Sequence, residues 1–282
     1  MGEFSGAIEI TSKEAKSIYA TDQGRTLGTR AVTGDGRTFR WMLNGATALG
    51  MGIPVISAAI EVLEKDTEYT AVINDTEDIT TTWRSITVDS EAATGEIGVN
   101  AYADGFIRVA NSTAANAKGQ LVRIKSNDAS ATSSTDALGS TMTVTFADDD
   151  ALTAALDTGA LLSLHHNPYW KVVVCAGGAD SALAGGVMGV PIRPVTAAYY
   201  FWGQTWGACA VVQDATITTG ASVIVSTSTS EAVGAASTYT TSTELAVDIS
   251  WGAAEGRQPI GWKMGSPGTD AYYELIFLTI AP

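Results

Sequence analysis

Apolar and polar residues alternate along several short stretches in the middle of the chain. From Met142 to Phe146 every second residue is apolar, and threonine fills the positions between. Shorter apolar runs at Phe106–Val109 and Leu121–Ile124 each follow a turn pair, Asp104–Gly105 and Lys118–Gly119. Because successive side chains of a strand point to opposite faces, this period predicts half-buried strands. We interpret residues 61–198 as one β domain.

The last part of the chain carries a second set of strand patterns, at Ser222–Val225, Leu245–Trp251 and Tyr272–Ile280. The closing segment is apolar on both faces near its end, which indicates burial in a sheet or between subunits. Between the first two lies Val225–Glu244, rich in Ser, Thr and Ala and without apolar periodicity, and this tract predicts an external loop. Residues 199–282 form the predicted C-terminal β domain.

One segment predicts a short helix, near residues 150–158. The acidic triplet Asp148–Asp150 is suited to cap the amino end of a helix and to oppose its dipole. Leu152 and Leu156 form a narrow apolar stripe, and Gly159 is placed to end the helix.

The amino-terminal part of the chain has a different character from the rest. Seven glycines lie between Gly24 and Gly52, which disfavours a regular helix there. Thr11 and Glu14 have the spacing of a capping box, so a short helical turn is expected near them. We interpret residues 1–60 as an extended N-terminal arm. The predicted fold is mainly β, with one or two β-barrel or β-sandwich-like domains, this arm and the one short helix.

The charge of the chain excludes some partners. Charged residues make up only 16% of the chain, and the formal net charge is −14, so the phosphate backbone of a nucleic acid would be repelled. The amino terminus lacks a basic segment followed by an apolar one, and no stretch reaches about 18 apolar residues. We therefore expect neither a secretory leader nor a membrane span, and no nucleic-acid or membrane partner.

Residue types that carry catalysis or bind metal are few and poorly spaced. His165 and His166 are the only histidines, and adjacent strand residues face opposite ways, so one ion could not easily use both. The triplet Asp148–Asp150 lacks the other ligands of a calcium loop, and helix capping explains it. Ser163 and Cys175 lie in no nucleophile motif, and Cys175 and Cys209 occur in apolar runs typical of buried thiols. We expect no enzyme activity, cofactor or metal.

Two sets of residues are candidates for partner contact. Basic and acidic residues nearly balance in the amino-terminal segment up to Arg40, so arginines there are either solvated loop residues or a docking surface. The second set lies in the aromatic run from Tyr199 to Trp206, whose rings either fill a core or form an intersubunit anchor or sugar-stacking shelf. The candidates are Arg25, Arg30, Arg37, Arg40, Trp41, Trp202 and Trp206.

The order of several motifs resembles a family of tailed-phage virion proteins, the capsid decoration or cement proteins. The motifs are DGRTFRW, NAYADGFIRV, GQLVRIKSN, TVTFADDDALTAALDTGALLSLHHNPYWKVV and GVPIRPVTAAYYFWGQTWGACAVV, followed by a terminal strand. The resemblance implies a non-enzymatic protein, made in the host cytoplasm, that coats the outer surface of the capsid as a homotrimer. Its implied partners are the major capsid protein and other copies of itself, and it would stabilise the shell by bridging neighbouring capsomers.

Other functions stay open at this point. A receptor-recognition or tail-associated adhesion protein would present the aromatic residues to host glycans. A polysaccharide hydrolase would need a pair of facing carboxylates, and none stands out. A major capsid protein normally carries a long spine helix, which no stretch of this chain predicts.

Overall fold

The structure is a computed structural model that describes twelve stretches of the chain: residues 6–58, 71–73, 80–89, 97–114, 116–129, 141–158, 160–175, 185–214, 216–226, 232–235, 258–265 and 273–282. Their strands are β1 Ile8–Glu9, β2 Ile18–Tyr19, β3 Arg30–Val32, β4 Thr38–Leu43, β5 Val55–Ile56, β6 Ala71–Ile73, β7 Ser85–Asp89, β8 Phe106–Asn111, β9 Leu121–Asn127, β10 Thr141–Phe146, β11 Leu161–His165, β12 Val173–Val174, β13 Val187–Pro191, β14 Tyr200–Val212, β15 Ser222–Val225, β16 Val233–Ala235, β17 Pro259–Lys263 and β18 Tyr273–Thr279. A single 3₁₀ turn, Glu14–Lys16, is the helical element of these stretches. The mainly β fold class is confirmed.

The chain divides into two compact units. One consists of Met1–Ala59 together with Pro168–Pro282, and the other is the inserted segment Ile60–Asn167. The sequence placed boundaries at 60/61 and 198/199, so the second boundary differs. The reason is long-range pairing: β12 and β13 lie between positions 168 and 198, but both pair with β5, a strand of the amino-terminal segment.

The inserted unit is a six-stranded barrel with the strand order β10-β7-β6-β11-β8-β9, and it is closed by the pairing of β9 with β10. Strands β8, β9 and β10 follow the predicted alternation, so one face of each points into a common core. The strands of the barrel contribute the buried side chains Ile86, Val88, Ile107, Val109, Val122, Ile124, Met142, Val144, Phe146, Leu162 and Leu164. The strands that the sequence predicted near Phe106, Leu121 and Met142 are therefore confirmed as β8, β9 and β10.

The helix predicted near residues 150–158 is absent from the described residues 150–158, which form bends and a bridge instead. Leu152 and Leu156 are buried, but they pack on the barrel core rather than along one helix face. The side-chain oxygen Oε1 of Gln120 accepts hydrogen bonds from the backbone N–H groups of Thr153 and Ala154. The side chain of Gln120 thus bonds to backbone N–H groups that, at the start of a helix, would need a capping residue.

The acidic triplet is also used differently from the predicted helix cap. Asp148 pairs with Lys125 and Asp149 pairs with Arg123, both on the neighbouring strand β9. The carboxylate of Asp150 accepts a hydrogen bond from the backbone N–H of Arg123 at 2.7 Å. The triplet therefore holds the segment after β10 against the neighbouring strand.

A second carboxylate organises the turn after β8. Asp157 accepts hydrogen bonds from the hydroxyls of Ser112 and Thr113 and from the backbone N–H of Thr113. These donors, Ser112 first, hold the pKa of Asp157 well below its usual value. A carboxyl whose pKa is lower in the folded protein adds stability above its unfolded pKa and loses it as the pH falls.

We therefore expect Asp157→Asn to flatten the acid dependence of stability. Wild-type protein should lose stability as the pH falls through the unfolded value of 3.8, while the variant, which cannot be protonated there, should lose less. Urea unfolding at pH 7 and pH 3 measures both. Equal losses in the two proteins would contradict this role. Asp128→Asn is a suitable control, since it removes a barrel carboxylate outside this turn.

The other unit is built on a sheet of order β1-β3-β4-β14-β18-β17-β15-β16, with β2, β5, β12 and β13 attached beside this path. The long strand β14 is its centre, because Tyr200–Trp206 pairs with β4 and Trp206–Val212 pairs with β18. A bulge at Gln204–Trp206 separates these halves. The Nε2 amide of buried Gln204 donates to the carbonyls of Trp206 and Ala208, which holds the bulge in place.

The predicted N-terminal arm is instead part of this sheet over residues 6–58. Strand β4 places Phe39, Trp41 and Met42 in the core with no measurable exposure. The free energy gained by burying such large apolar side chains outweighs the conformational entropy that a loose arm would keep. The turn expected at Thr11 is present, since the Thr11 hydroxyl accepts a hydrogen bond from the backbone N–H of Glu14.

Both cysteines are buried in this unit, as their apolar surroundings in the sequence predicted. Burial raises the pKa of the Cys209 thiol to about 12. The thiolate, which is the reactive form, is therefore scarce at neutral pH. Cys209 acts as a small apolar core residue.

Some sequence expectations lie outside the described residues. They are the strand at Leu245–Trp251, most of the loop at Val225–Glu244 and the helix stop at Gly159. Within the part of the chain that is described, no helix has the length and apolar character needed to cross a membrane.

Candidate interaction surface

Strands β17 and β18 turn apolar side chains outward. Along β18, Glu274, Ile276 and Leu278 are buried, and the alternate residues Tyr273, Leu275 and Phe277 face the opposite way. Two of these outward residues are largely exposed, Tyr273 at 52% and Leu275 at 45%. On β17, Trp262 lies directly opposite Phe277 and is 41% exposed. The outer face of these two strands is thus apolar where a solvent-facing strand is usually polar.

The same face continues onto β14. Ala208 lies opposite Phe277 and Ala210 lies opposite Leu275, so these small residues share the outward side. The Phe277 ring stacks on Trp262 with centroids 5.3 Å apart and meets Trp206 edge-on at 5.5 Å. We call this surface the outer aromatic face; it comprises Trp206, Ala208, Ala210, Trp262, Met264, Tyr273, Leu275 and Phe277.

The charged residues of the same strands point inward. Lys263 lies between Trp262 and Met264 in the chain, yet its side chain is fully buried and pairs with Glu274 at 3.2 Å. None of the residues of the outer aromatic face is charged, on a chain whose net charge is −14. Exposed apolar patches of this kind usually mark a contact site. A neutral patch also lets an acidic protein approach a partner without close like-charge contact.

Three of the predicted contact residues come together, and two of them, Trp41 and Trp202, lie in the core. Trp41 and Trp202 are at most 1% exposed, and their rings lie 4.8 Å apart. The Arg25 guanidinium lies over both rings, at 5.1 Å and 5.5 Å, and also pairs with Glu14. Arg25 therefore closes an aromatic cluster by cation–π contact. The two tryptophans are structural residues in this fold and present no surface to a partner.

The other predicted arginines lie apart from this cluster. Arg30 is exposed on β3, and Arg37 pairs with Asp35 at 2.8 Å. Arg40 is partly buried and donates from Nη1 to the carbonyl of Gly28 at 3.1 Å. Of the four, Arg30 keeps the most accessible side chain for a docking surface. Trp206 is the predicted residue that belongs to the outer aromatic face.

The residue types considered for catalysis are held in structural contacts. The Ser163 hydroxyl is fully buried and contacts the side chains of Arg108 at 3.2 Å and His165 at 3.0 Å. His166 stacks on the ring of Tyr102 at 4.2 Å. Among the described residues, no group of three His, Cys, Asp or Glu side chains is arranged to hold a metal ion.

The sequence reasoning missed most of the outer aromatic face. It identified the closing strand as apolar on both faces, but did not name Trp262, Met264, Tyr273 or Leu275. The sequence signal that could have indicated this face is a lysine, Lys263, between two large apolar residues, Trp262 and Met264. Which of these residues faces the core follows from the neighbouring strand, and the local sequence does not determine it.

Comparison with known proteins adds no relative: no family model, no curated protein and no solved structure matches this chain.

Proposed function

We propose that this chain is a non-enzymatic virion structural protein that decorates the outside of a phage capsid and stabilises it by bridging neighbouring capsomers. The outer aromatic face carries the proposal, because a neutral, apolar sheet surface with exposed aromatic rings is suited to binding another protein surface. Its partners would be the major capsid protein and further copies of this chain, as a homotrimer. The resemblance of motif order supports the same assignment.

Attachment to the capsid would depend on many weak contacts made by the same surface. Large exposed rings such as Trp262 and Tyr273 supply most of the binding free energy when a partner covers them. In an oligomer, each first contact makes the next one intramolecular, so modest individual affinities add up to firm attachment. The net charge of −14 favours a protein partner over nucleic acid.

We expect Leu275→Asp to weaken attachment to undecorated heads by at least about tenfold, a factor that corresponds to about 1.4 kcal/mol. The introduced carboxylate would be desolvated in the contact without a partner. Cosedimentation of purified protein with heads, over a range of protein concentrations, measures saturation and affinity. Leu121→Asp is the matched control, because Leu121 is a strand leucine of similar exposure, 57%, in the inserted unit.

The two variants separate the possible outcomes. Normal binding by Leu121→Asp with weak binding by Leu275→Asp supports the outer aromatic face as the contact. Equal affinities would exclude that face, and absence of saturable binding by wild-type protein would exclude decoration. Deleting the segment up to Gly52 would not test attachment, because it removes β4 from the core of the sheet.

A second function, adhesion to host glycans, is favoured by one observation. The exposed rings of Trp262 and Tyr273 present flat apolar surfaces of the kind on which sugars stack. Under this alternative, the isolated protein binds neutral host glycans, Trp262→Ala abolishes that binding, and heads show no saturable uptake.

A further inference from the structure

A buried polar cluster lies on the inner side of the strands that carry the outer aromatic face. The Lys263 ammonium lies 3.2 Å from Oε2 of Glu274 and 3.4 Å from Oε1 of Gln213. Lys263 has no exposed surface, Gln213 is 1% exposed and Glu274 is 9% exposed. An amine, a carboxylate and a carboxamide are thus in contact within a site that excludes bulk water.

The position of this lysine is unusual for its strand. Ile276, fully buried in the core, lies directly opposite Lys263. Removing an ion pair from water costs free energy that its mutual attraction often fails to recover, and apolar replacements are commonly as stable. The strand could have exposed the lysine and buried Trp262, yet it does the reverse. A buried ion pair of this kind is weak evidence for a role in stability.

We propose that Lys263 and Gln213 form an intramolecular isopeptide bond, with Glu274 transferring the protons. Glu274 accepts a proton from the Lys263 ammonium, and the neutral Nζ attacks Cδ of Gln213. The Nζ–Cδ bond forms, the bond from Cδ to the amide nitrogen breaks, and Glu274 returns its proton to the departing nitrogen, which leaves as ammonia. The second proton that Nζ loses passes through the Glu274 carboxylate to this ammonia. The products are a secondary amide and one ammonium ion, so no oxidant, reductant or further reactant is needed.

The geometry supports this step. The Lys263 Nζ contacts Oε1, the atom bonded to Cδ, at 3.4 Å. A small movement of the lysine side chain towards Cδ would bring the two atoms to the separation of roughly 3–3.5 Å at which oriented groups react. Glu274 lies on β18, which is hydrogen-bonded to both β17 and β14. Lys263 ends β17, and Gln213 directly follows β14. Burial also keeps out the water that would compete for the carboxamide.

The bond would join the strands on either side of β18 and close a covalent loop from residue 213 to residue 263. Such a loop reduces the number of conformations open to the unfolded chain, as a disulfide does. Unlike a disulfide, the isopeptide bond persists in a reducing compartment. This inference does not rest on the proposed function and applies equally to an adhesion protein.

Mass spectrometry of the intact, denatured protein tests the proposal. The cross-linked chain is lighter than its sequence mass by one ammonia molecule, and a tryptic digest contains a branched peptide in which Lys263 is uncleaved. The branched peptide is required, because cyclisation at Asn44–Gly45 would also release ammonia. Glu274→Gln keeps both reacting groups but should show the full sequence mass.

Two results would overturn the proposal. One is wild-type protein of full sequence mass after prolonged incubation at neutral pH, with Lys263 cleaved normally by trypsin. The other is an unchanged yield of the branched peptide in Glu274→Gln, which would remove Glu274 from the reaction. The wild-type measurement needs no variant, so it holds even if a substituted chain fails to fold.

Discussion

Replacing Trp41 with alanine is expected to lower the free energy of unfolding by about 3–5 kcal/mol, the range for removing a large buried ring. Trp41 has no exposed surface. Its ring contacts those of Trp202, Tyr19 and Tyr200, with centroids 4.8, 5.5 and 5.9 Å away. The substitution leaves a cavity on the central strands of the sheet and removes one of the rings beneath the Arg25 guanidinium.

Urea denaturation followed by circular dichroism measures this loss, and Trp262→Ala supplies the comparison. Trp262 is the same residue type in the same unit, but 41% of it is exposed. Removing its stacking on Phe277 should cost about 0.5–1.5 kcal/mol. If Trp41→Ala and Trp262→Ala were equally stable, the assignment of one ring to the core and the other to the surface would be incorrect.

Gly105→Ala is expected to destabilise the inserted unit by about 3 kcal/mol, the upper end of the usual cost of overpacking. A Cβ atom at Gly105 would collide with the backbone oxygen of His165 and lie 2.9 Å from that of Tyr102. Both neighbours are backbone atoms, so no side chain can move aside. The substitution would also disturb the hydrogen bond from the Ile124 N–H to the Gly105 carbonyl, where β8 meets β9.

Gly98→Ala is the matched control in the same unit, because a Cβ there meets no atom within 4 Å. Its unfolding midpoint in urea should stay near the wild-type value. A Gly105→Ala protein as stable as Gly98→Ala would show that the two backbones do not approach so closely.

The strands of the inserted unit could be predicted because their signal is local. From Met142 to Phe146 the alternation of apolar residues and threonine specifies which side chains face the core, and the structure follows it. The prediction of a helix near residues 150–158 was wrong because the conformation of this segment depends on a distant residue. The amide groups of the segment bond to the side chain of Gln120, which precedes β9 and lies far back in the chain, and no local pattern indicates such a partner.

The candidate contact residues show the same limit. Trp202 and Trp206 belong to one aromatic run, yet the first is in the core and the second on the outer aromatic face. A bulge at Gln204–Trp206 lies between them and shifts the register. The arginine-containing segment predicted as an arm was misplaced because its strand β4 pairs with β14, which lies beyond the whole inserted unit in the sequence.

The sequence by itself determined the strand-forming character of the chain, its acidic charge and the burial of its thiols. These follow from residue type and from a period of two, which every strand expresses locally. Only the tertiary structure decided that Lys263 and Glu274 turn inward while Trp262 and Leu275 turn outward. A strand with apolar residues on both faces does not specify which face is buried until other parts of the fold pack on one of them. In this chain those parts come from distant segments, since Ile276 and Leu278 pack with Ile56 and Val187.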